Sequence, residues 1–299
     1  MSFEYAPILI FTYKRIATLK TTIDCLKRNK YSSLHELYIF SDGPKTDSDV
    51  DSINEVRKFI KSVNGFKNIY IRESTINKGL ANSIIDGVSE IINIYGKVIV
   101  LEDDLMTSPN FLAYMNLGLN HYINNSKVFS VSGFTMPIKG LQPNSIYFTK
   151  RASCWGWATW ADRWGNIDWA VKNYEDFNAD SVLKNRFNEM GSDMSNMLNR
   201  QMSGEINSWA IRWCFHQFMN DLYTVFPAIS KVINIGLEDP NATHTNEKFN
   251  RFKTFLDYTN NEHYLFTDNV ELDGDIIKQF IRPYSIQQRI KYKILNALF

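Results

Sequence analysis

Three consecutive acidic residues, Glu102, Asp103 and Asp104, are the side chains of this sequence best suited to bind a cation. They come directly after an apolar run at residues 98–101. Hard divalent cations such as Mg²⁺ and Mn²⁺ take oxygen ligands and keep open positions for phosphate oxygens. The motif therefore predicts a site for a divalent cation and a phosphorylated ligand. The alternative is an acidic turn at a helix start, because a Ser-Pro pair soon follows.

A buried strand must carry these acids, because a short apolar run suits a strand that is covered on both faces of a parallel sheet. Ligands of such sheets bind just beyond the carboxyl ends of the strands. Strand-like and helix-like runs alternate before this strand, at residues 8–12, 16–29, 37–40, 48–61, 69–71 and 80–95. The alternation predicts an α/β fold with a mostly parallel sheet flanked by helices.

Four motifs in this order resemble those of glycosyltransferases with the GT-A fold. They are Thr12-Tyr13-Lys14-Arg15, Ser41-Asp42-Gly43, Asn77-Lys78-Gly79-Leu80, and Leu-Glu-Asp-Asp-Leu with a downstream Pro-Asn-Phe. The pattern is similar to that of N-acetylglucosaminyltransferase I, whose metal motif is also Glu-Asp-Asp, and to bacterial family 2 enzymes that build surface polysaccharides. The resemblance covers about residues 6–245. It implies a GT-A (Rossmann-like) fold and a nucleotide-sugar donor, for which a UDP-sugar is the first candidate.

The resemblance also implies roles for individual residues. The residues implied for the nucleotide are Thr12, Tyr13, Arg15, Asp42, Lys78 and Asp103, the last on the ribose side. Glu102 would face the donor sugar. Asp104 would bind Mn²⁺ or Mg²⁺, and His244 matches the position of a histidine that completes the metal site in several GT-A enzymes. A solvated lysine near a helix start is the alternative for Lys78.

Residues 151–164 contain four tryptophans, a density that suggests a wall for a sugar. Aromatic rings offer a large apolar area with defined geometry, and so Trp155 and Trp157 are predicted acceptor contacts. However, Trp157, Trp160 and Trp164 recur at helical spacing, which is typical of packing against a sheet. We favour core packing for Trp160 and Trp164.

An inverting transferase needs a carboxylate within hydrogen-bond reach of the attacking acceptor hydroxyl. N-acetylglucosaminyltransferase I has paired aspartates before a tryptophan, whereas this chain has Asn207 and Ser208 there. Neither side chain can act as a base. Glu205 is therefore the first candidate for the catalytic base, Asp239 the alternative and Asp162 the third. Ordinary helix-start chemistry explains Glu205 almost as well.

The overall composition is that of a globular enzyme. The chain has 299 residues, 44% hydrophobic residues and a formal net charge of +1, enough for a large core in one domain plus an appendage. We predict a catalytic domain at 1–245, with a nucleotide-sugar half at about 1–105 and an acceptor half at about 106–245, and a C-terminal extension at 246–299. No nucleic-acid motif is present. Three scattered cysteines indicate neither a disulfide framework nor a zinc site, which favours the cytoplasm.

The C-terminal extension mixes basic and apolar residues from about Phe280 onward. A basic amphipathic helix can lie on an anionic membrane, which would place the enzyme peripherally on the inner face of the cell membrane, beside a lipid-linked glycan acceptor. The alternative is a terminal helix docked on the domain or on the second subunit of a homodimer. The N-terminus lacks a signal segment, and no apolar run is long enough to span a bilayer.

Three functional classes follow from these observations. The leading hypothesis is an inverting, divalent-metal-dependent glycosyltransferase that transfers a hexosyl or N-acetylhexosaminyl group from a nucleotide diphosphate to a glycan in bacterial surface polysaccharide synthesis. A sugar-phosphate nucleotidylyltransferase would carry a glycine-rich loop after the first strand, and the Thr12-to-Arg15 turn contains no glycine. A non-catalytic carbohydrate-binding protein on the same fold is the third class, because Asn207 and Ser208 replace the expected acids.

Overall fold

The computed structural model describes residues 4–236 and 249–298. Within them the strands are β1 Ile8–Thr12, β2 Glu36–Ser41, β3 Asn68–Glu73, β4 Lys97–Glu102, β5 Leu105–Thr107, β6 Val128–Ser132, β7 Ile146–Thr149, β8 Trp157–Trp160, β9 Tyr223–Pro227 and β10 Val232–Asn234. The α-helices are α1 Ile16–Lys27, α2 Val50–Ile60, α3 Leu80–Tyr95, α4 Phe111–His121, α5 Ala161–Trp164, α6 Tyr174–Ala179, α7 Ser181–Phe187, α8 Met194–Met202, α9 Trp209–Met219, α10 Gly274–Ile281 and α11 Ile286–Leu298.

Eight of these strands form one sheet in the order β3-β2-β1-β4-β8-β6-β9-β7. β1 to β4 are parallel to one another, and β6 is parallel to β9. The antiparallel strand β8 joins these two parts, and β7 is antiparallel to β9. The predicted α/β fold with flanking helices is therefore confirmed, and so is the predicted helical segment at the C-terminus.

The centre of the sheet is buried on both faces, which explains why β1 and β4 read as unbroken apolar runs. All five residues of β1 are buried. Their alternate side chains enter two separate clusters: Ile8 and Ile10 pack with α1 and α2, while Leu9 and Phe11 pack with α3. A parallel strand in such a position has no polar face.

Two features of the second half differ from a simple repetition of this pattern. β5 and β10 form a small antiparallel sheet immediately after the three acids. The tryptophans at helical spacing do not lie on one helix, because the strand β8 runs directly into the short helix α5. Trp160 and Trp164 are nevertheless buried as predicted.

The C-terminal segment returns across the rest of the domain. Isolated bridges join Ser230 to Leu256 and Ser145 to Leu265, and Phe280 on α10 packs into the main core. This contact joins the extension to the core. The domain boundary at 245/246 stays a prediction. None of the helices within residues 4–236 and 249–298 has the length and apolar character that crossing a membrane requires.

Candidate functional site

The carboxyl ends of the first four strands meet at one end of the sheet. In the parallel register Thr12 lies opposite Ser41, Ser41 opposite Glu73, and Phe11 opposite Glu102. The turns that leave these strands are therefore neighbours, although they are far apart in the chain. This is where parallel α/β sheets bind ligands.

Arg15, just before α1, reaches across to the end of β4. Its Nη2 donates to Asp103 Oδ1 at 2.6 Å and to Asp104 Oδ2 at 2.8 Å. Burial disfavours the charged guanidinium, but the charges of Asp103 and Asp104 outweigh burial and raise the pKa of Arg15 above its usual value. The guanidinium of Arg15 thus binds two carboxylates and stays charged at any working pH.

Asp103 is held by the turn after β1. Its Oδ2 accepts hydrogen bonds from Thr12 Oγ1 at 2.8 Å and from the backbone N–H of Tyr13 at 3.2 Å. With the bond from Arg15, these contacts give the buried carboxylate a fixed orientation. The structure therefore brings together four residues that the sequence assigned to the nucleotide: Thr12, Tyr13, Arg15 and Asp103.

Asp104 lies beside the small sheet of β5 and β10. Asn234 Nδ2 is 3.4 Å from Asp104 Oδ1, and the backbone N–H of Ile235 donates to the carbonyl of Asp104 at 2.9 Å. Burial raises the pKa of Asp104, even though Arg15 opposes the shift. Gly236 passes so close that a Cβ there would clash with both Asp104 and Arg15. Only glycine leaves room for the backbone at this point.

Glu102 is the least satisfied acid of the cluster. It is partly exposed, and its side chain accepts no hydrogen bond from another described residue. Burial, together with the charges of Asp104 and Asp103, raises its pKa to about 8. Three carboxyl groups share one guanidinium here, and burial with mutual repulsion opposes their full ionisation; a bound cation would relieve that repulsion, and a sugar hydroxyl could donate a hydrogen bond to Glu102.

Asp42, at the end of β2, binds the loop before α3. Its Oδ1 accepts from the backbone N–H groups of Gly43 at 2.8 Å and Lys78 at 2.9 Å, and its Oδ2 accepts from Gly79 at 2.9 Å. The side chain of Lys78 forms a surface pair with Asp86 at 3.0 Å. The structure thus joins these two predicted nucleotide residues through the Lys78 backbone, while the Lys78 ammonium points to a different partner.

Two polar residues at this end of the sheet were not recognised in the sequence. Asp49 accepts from Tyr13 Oη at 2.8 Å and from Lys14 Nζ at 2.7 Å; the bonds from Lys14 and then Tyr13 lower its pKa. Arg57 donates through Nη2 to the Ser74 carbonyl at 2.6 Å. Asp49 lies directly before α2 and Arg57 lies within it. No local sequence pattern there distinguishes a charged side chain that supports a site from a solvated one.

The tryptophan-rich segment runs beside the acidic cluster. Trp157 lies opposite Val100 in the register of β8 and β4, so the residues before Trp157 run toward the end of β4. Burial raises the pKa of the Cys154 thiol. The next residue, Trp155, is partly exposed and packs edge-on against Phe134 at 4.6 Å. Trp157 is only 1% exposed, because it lies inside a core group of tryptophans. Of the two predicted acceptor contacts, Trp155 alone has accessible ring surface.

The predicted base and second metal ligand are not assembled at this site within the described residues. Glu205 lies in the turn between α8 and α9, where its exposed carboxylate accepts from Arg200 Nε at 2.8 Å. The helix that follows Glu205 begins at Trp209, with Ser208 as its N-cap. Asp162 is exposed and pairs with Arg163. Asp239 and His244 lie outside the described residues.

The residues at the strand ends fit a divalent cation of the type that binds with its substrate. No three His, Cys, Asp or Glu side chains among residues 4–236 and 249–298 converge into a complete metal cage. Mg²⁺ and related ions are commonly held by one or two carboxylates plus the phosphates of a ligand. Asp104 and the unsatisfied Glu102 supply carboxylates of this kind.

Comparison with protein families gives a match in the first part of the chain. Residues 8–121, from β1 to the end of α4, match the model of glycosyl transferase family 2. This segment contains the turn at Thr12, the loop bound by Asp42 and the three acids. A search of curated proteins yields no match.

Among solved structures, a mannosyltransferase from Pyrobaculum calidifontis in complex with GDP-Man and Mn²⁺ is 12% identical, with a TM-score of 0.37 over 53% of this chain. S. aureus TarS, residues 1–349, is 7% identical, with a TM-score of 0.41 over 78% of this chain. This chain covers 45% of the first structure and 61% of the second.

Proposed function

We propose that this chain, which carries a glycosyltransferase domain of the family 2 type, transfers a sugar with inversion from a nucleoside-diphosphate donor to a glycan acceptor. A UDP-sugar is the donor of first choice, a hexose or N-acetylhexosamine is the group transferred, and bacterial surface polysaccharide is the product. The working compartment is the cytoplasm. The homodimer, predicted as an alternative to membrane contact of the C-terminal helix, stays a prediction.

The observation that carries the proposal is the excess of carboxylates over cations at the ends of β1 and β4. Arg15 pairs with Asp103 and Asp104, and Glu102 has no cationic partner among the described residues. When the bond from the sugar to a nucleoside diphosphate breaks, negative charge grows on the leaving phosphate. A site that collects both a guanidinium and cation-binding carboxylates at one sheet end is suited to that charge.

Each residue of the turn has a proposed task. Thr12, Tyr13 and Asp103 position the nucleoside, with Asp103 toward the ribose, and Arg15 faces the diphosphate. Asp42 acts on the nucleotide mainly through the loop that its carboxylate binds. Lys78 reaches a phosphate only if its ammonium leaves Asp86.

A divalent cation, Mn²⁺ or Mg²⁺, would be held by Asp104, with His244 as the proposed second ligand. When bound, it supplies Lewis-acid stabilisation of the leaving diphosphate. Glu102 is proposed to accept a hydrogen bond from a hydroxyl of the donor sugar, which would satisfy its unpaired carboxylate.

The acceptor binds, in this proposal, beside residues 151–157, where Trp155 offers ring surface. A carboxylate must remove the proton from the attacking hydroxyl. Glu205 would have to leave Arg200 to do so, and this requirement makes Asp239 an equal candidate. Substituting each of them with glutamine or asparagine and comparing the pH profiles of turnover distinguishes the two.

The first experiment measures ligand binding. A panel of nucleoside diphosphates and nucleotide sugars is tested by calorimetry and thermal shift, with and without Mn²⁺, on the wild type, Asp104→Ala and the control Asp176→Ala. Asp176 is an exposed aspartate on α6. We expect one nucleotide to raise the melting temperature only with metal, an effect that Asp104→Ala abolishes and Asp176→Ala preserves.

Absence of binding by every nucleotide in a folded protein contradicts the proposal. Metal-dependent donor binding with neither transfer to any acceptor nor slow hydrolysis of the donor instead supports the non-catalytic carbohydrate-binding alternative. Formation of a nucleotide sugar from a nucleoside triphosphate and a sugar phosphate indicates the nucleotidylyltransferase.

A further inference from the structure

The C-terminal helix α11 presents its apolar residues to solvent. These residues are spaced four apart, and their exposed fractions are 61% for Ile286, 54% for Ile290, 51% for Ile294 and 71% for Leu298. At 3.6 residues per turn this spacing forms one continuous stripe along the helix. We call these four residues the outer stripe.

The opposite side of α11 binds the domain through polar groups. Arg289 Nη1 is 3.3 Å from Ser192 Oγ. The Asn296 side chain accepts from the backbone N–H of Phe249 at 2.8 Å and donates to its carbonyl at 3.1 Å. Amphipathic helices of a globular domain normally bury the apolar side and expose the polar one. The helix α11 leaves the outer stripe exposed, while Tyr292 and Leu295 on its other side are only half-buried, and so the docked-helix alternative does not account for the outer stripe.

The start of α11 is fixed firmly enough to make this orientation meaningful. Ser192 Oγ donates to the Tyr284 carbonyl at 2.7 Å. The Tyr284 ring lies 3.7 Å from the guanidinium of Arg151, which itself forms a two-bond pair with the buried Asp193. These contacts hold the turn before α11, and rotation of the helix about its axis would break the bonds of Arg289 and Asn296.

Charge identifies the surface that the outer stripe fits. After Asp275 the sequence contains no acidic residue, but it contains the five basic residues Lys278, Arg282, Arg289, Lys291 and Lys293. Their charge exceeds the formal net charge of the whole chain, +1, so the rest of the chain is net negative. Lys291 and Lys293 are exposed on the same helix as the stripe. Cations next to an exposed apolar stripe are suited to lipid headgroups over acyl chains.

We propose that α11 docks on an anionic lipid bilayer, with the outer stripe in the headgroup region and Lys291 and Lys293 at the phosphates. A second copy of this chain is a poorer fit, because a two-fold contact through this stripe would bring the lysines of both copies together. The docking surface exists independently of the donor site. Combined with the proposed function, it places the enzyme where a lipid-linked glycan acceptor would lie.

The test is co-sedimentation of the full-length chain with vesicles of phosphatidylcholine alone and of phosphatidylcholine containing phosphatidylglycerol. The variants are Ile290→Glu/Ile294→Glu, Lys291→Glu/Lys293→Glu and a matched control, Ile94→Glu/Ile123→Glu. Ile94 and Ile123 are also exposed isoleucines, and they lie outside the C-terminal segment. Far-ultraviolet circular dichroism and nucleotide binding are recorded for each variant, so that loss of folding and loss of the donor site are measured separately.

We expect the wild type to bind anionic vesicles at least tenfold more strongly than neutral ones, and less strongly as salt rises. Both α11 variants should lose at least tenfold, whereas the control keeps wild-type binding. Equal binding of the wild type and the folded α11 variants to anionic vesicles overturns the proposal. A wild type that does not bind anionic vesicles overturns it as well. A dimer in sedimentation velocity that Ile290→Glu/Ile294→Glu converts to a monomer also overturns it, in favour of a second copy on the stripe.

Discussion

Two buried arginine–aspartate clusters of this protein differ in their charge balance. Arg151 binds one carboxylate, Asp193, through two parallel hydrogen bonds of 2.8 and 2.9 Å. Arg15 binds two carboxylates, Asp103 and Asp104, through a single nitrogen. The first cluster is closed by the ring of Tyr284. The second lies at the sheet end next to Glu102, which has no partner of its own among the described residues.

The pKa directions follow from this difference. Burial works against ionisation of Asp193, but the hydrogen bonds and charge of Arg151 outweigh it, and the pKa of Asp193 is lowered. For Asp104 burial prevails over the shared Arg15, and its pKa is raised. A balanced buried pair indicates a structural contact, whereas an unbalanced one indicates a position that a ligand completes. The comparison predicts opposite outcomes for substitutions in the two clusters.

The largest expected effect is on turnover by Asp104→Ala. Loss of a metal-binding carboxylate should reduce sugar transfer by at least about 1000-fold, because metal stabilisation of the leaving group contributes several kcal/mol. The free energy of unfolding should not fall, since burial already opposes ionisation of Asp104 and Arg15 keeps its bond to Asp103. Product formation and urea unfolding check the two parts. Turnover by Asp104→Ala at the wild-type rate, or a large loss of its stability, would contradict the difference proposed between the two clusters.

Asp193→Ala should act in the opposite way. It leaves Arg151 buried without its carboxylate, and so the free energy of unfolding should fall by about 3–5 kcal/mol. Nucleotide affinity of the remaining folded protein should stay at the wild-type value. Urea unfolding and calorimetry measure both. The paired variant Arg151→Met/Asp193→Leu is the control and should recover most of the stability, because no uncompensated charge is left.

A third buried group, His35, extends the comparison to pH. Its Nδ1 donates to the Ala6 carbonyl at 2.7 Å, while its Nε2 accepts from Asn116 at 3.3 Å, an arrangement that requires the neutral ring. Burial lowers its pKa to about 4 from 6.5. The unfolded chain therefore binds the proton first as pH falls, and stability is lost between about pH 6.5 and pH 4.

From pH 7 to pH 5 we expect His35 to lower the free energy of unfolding by about 2 kcal/mol. Urea titrations at the two pH values on wild type and His35→Gln measure this contribution as the difference between the two proteins. An identical pH dependence in both would show that His35 does not titrate between these limits.

The smallest expected effect is that of Asp42→Asn. The amide oxygen can replace one carboxylate oxygen but not both, so one backbone N–H of the loop before α3 loses its partner. We expect about 1 kcal/mol less stability and a nucleotide Kd about tenfold higher. Calorimetry compares it with Asp86→Asn, which changes only the exposed pair with Lys78. Equal affinities for the two variants would mean that the loop does not position the nucleotide.

The regular part of the fold could be predicted because its determinants are local. Burial on both faces makes β1 and β4 continuous apolar runs, and strand and helix alternate with short connections. Parallel strands end at the same side of a sheet, and the sequence alone places Arg15, Asp42 and Asp104 shortly after such strands. Their roles toward a nucleotide and a metal stay predictions.

The parts that could not be predicted depend on contacts between distant segments. Asp49 binds Tyr13 from the start of a neighbouring helix, and Trp157 is enclosed by tryptophans of α5 and α9. Glu205, the first candidate for the catalytic base, pairs with Arg200. Spacing along the chain does not report which of several partners a side chain meets.

The sequence by itself determined the strand and helix order, the position of the acids at a strand end, and the amphipathic character of the last helix. These follow from local periodicity and from the burial of apolar residues. Only the tertiary structure decided that Arg15 is shared by two aspartates 88 and 89 residues away, and that the outer stripe of α11 faces solvent. Both depend on packing, because the same local pattern is compatible with either charge balance and with either orientation of the helix.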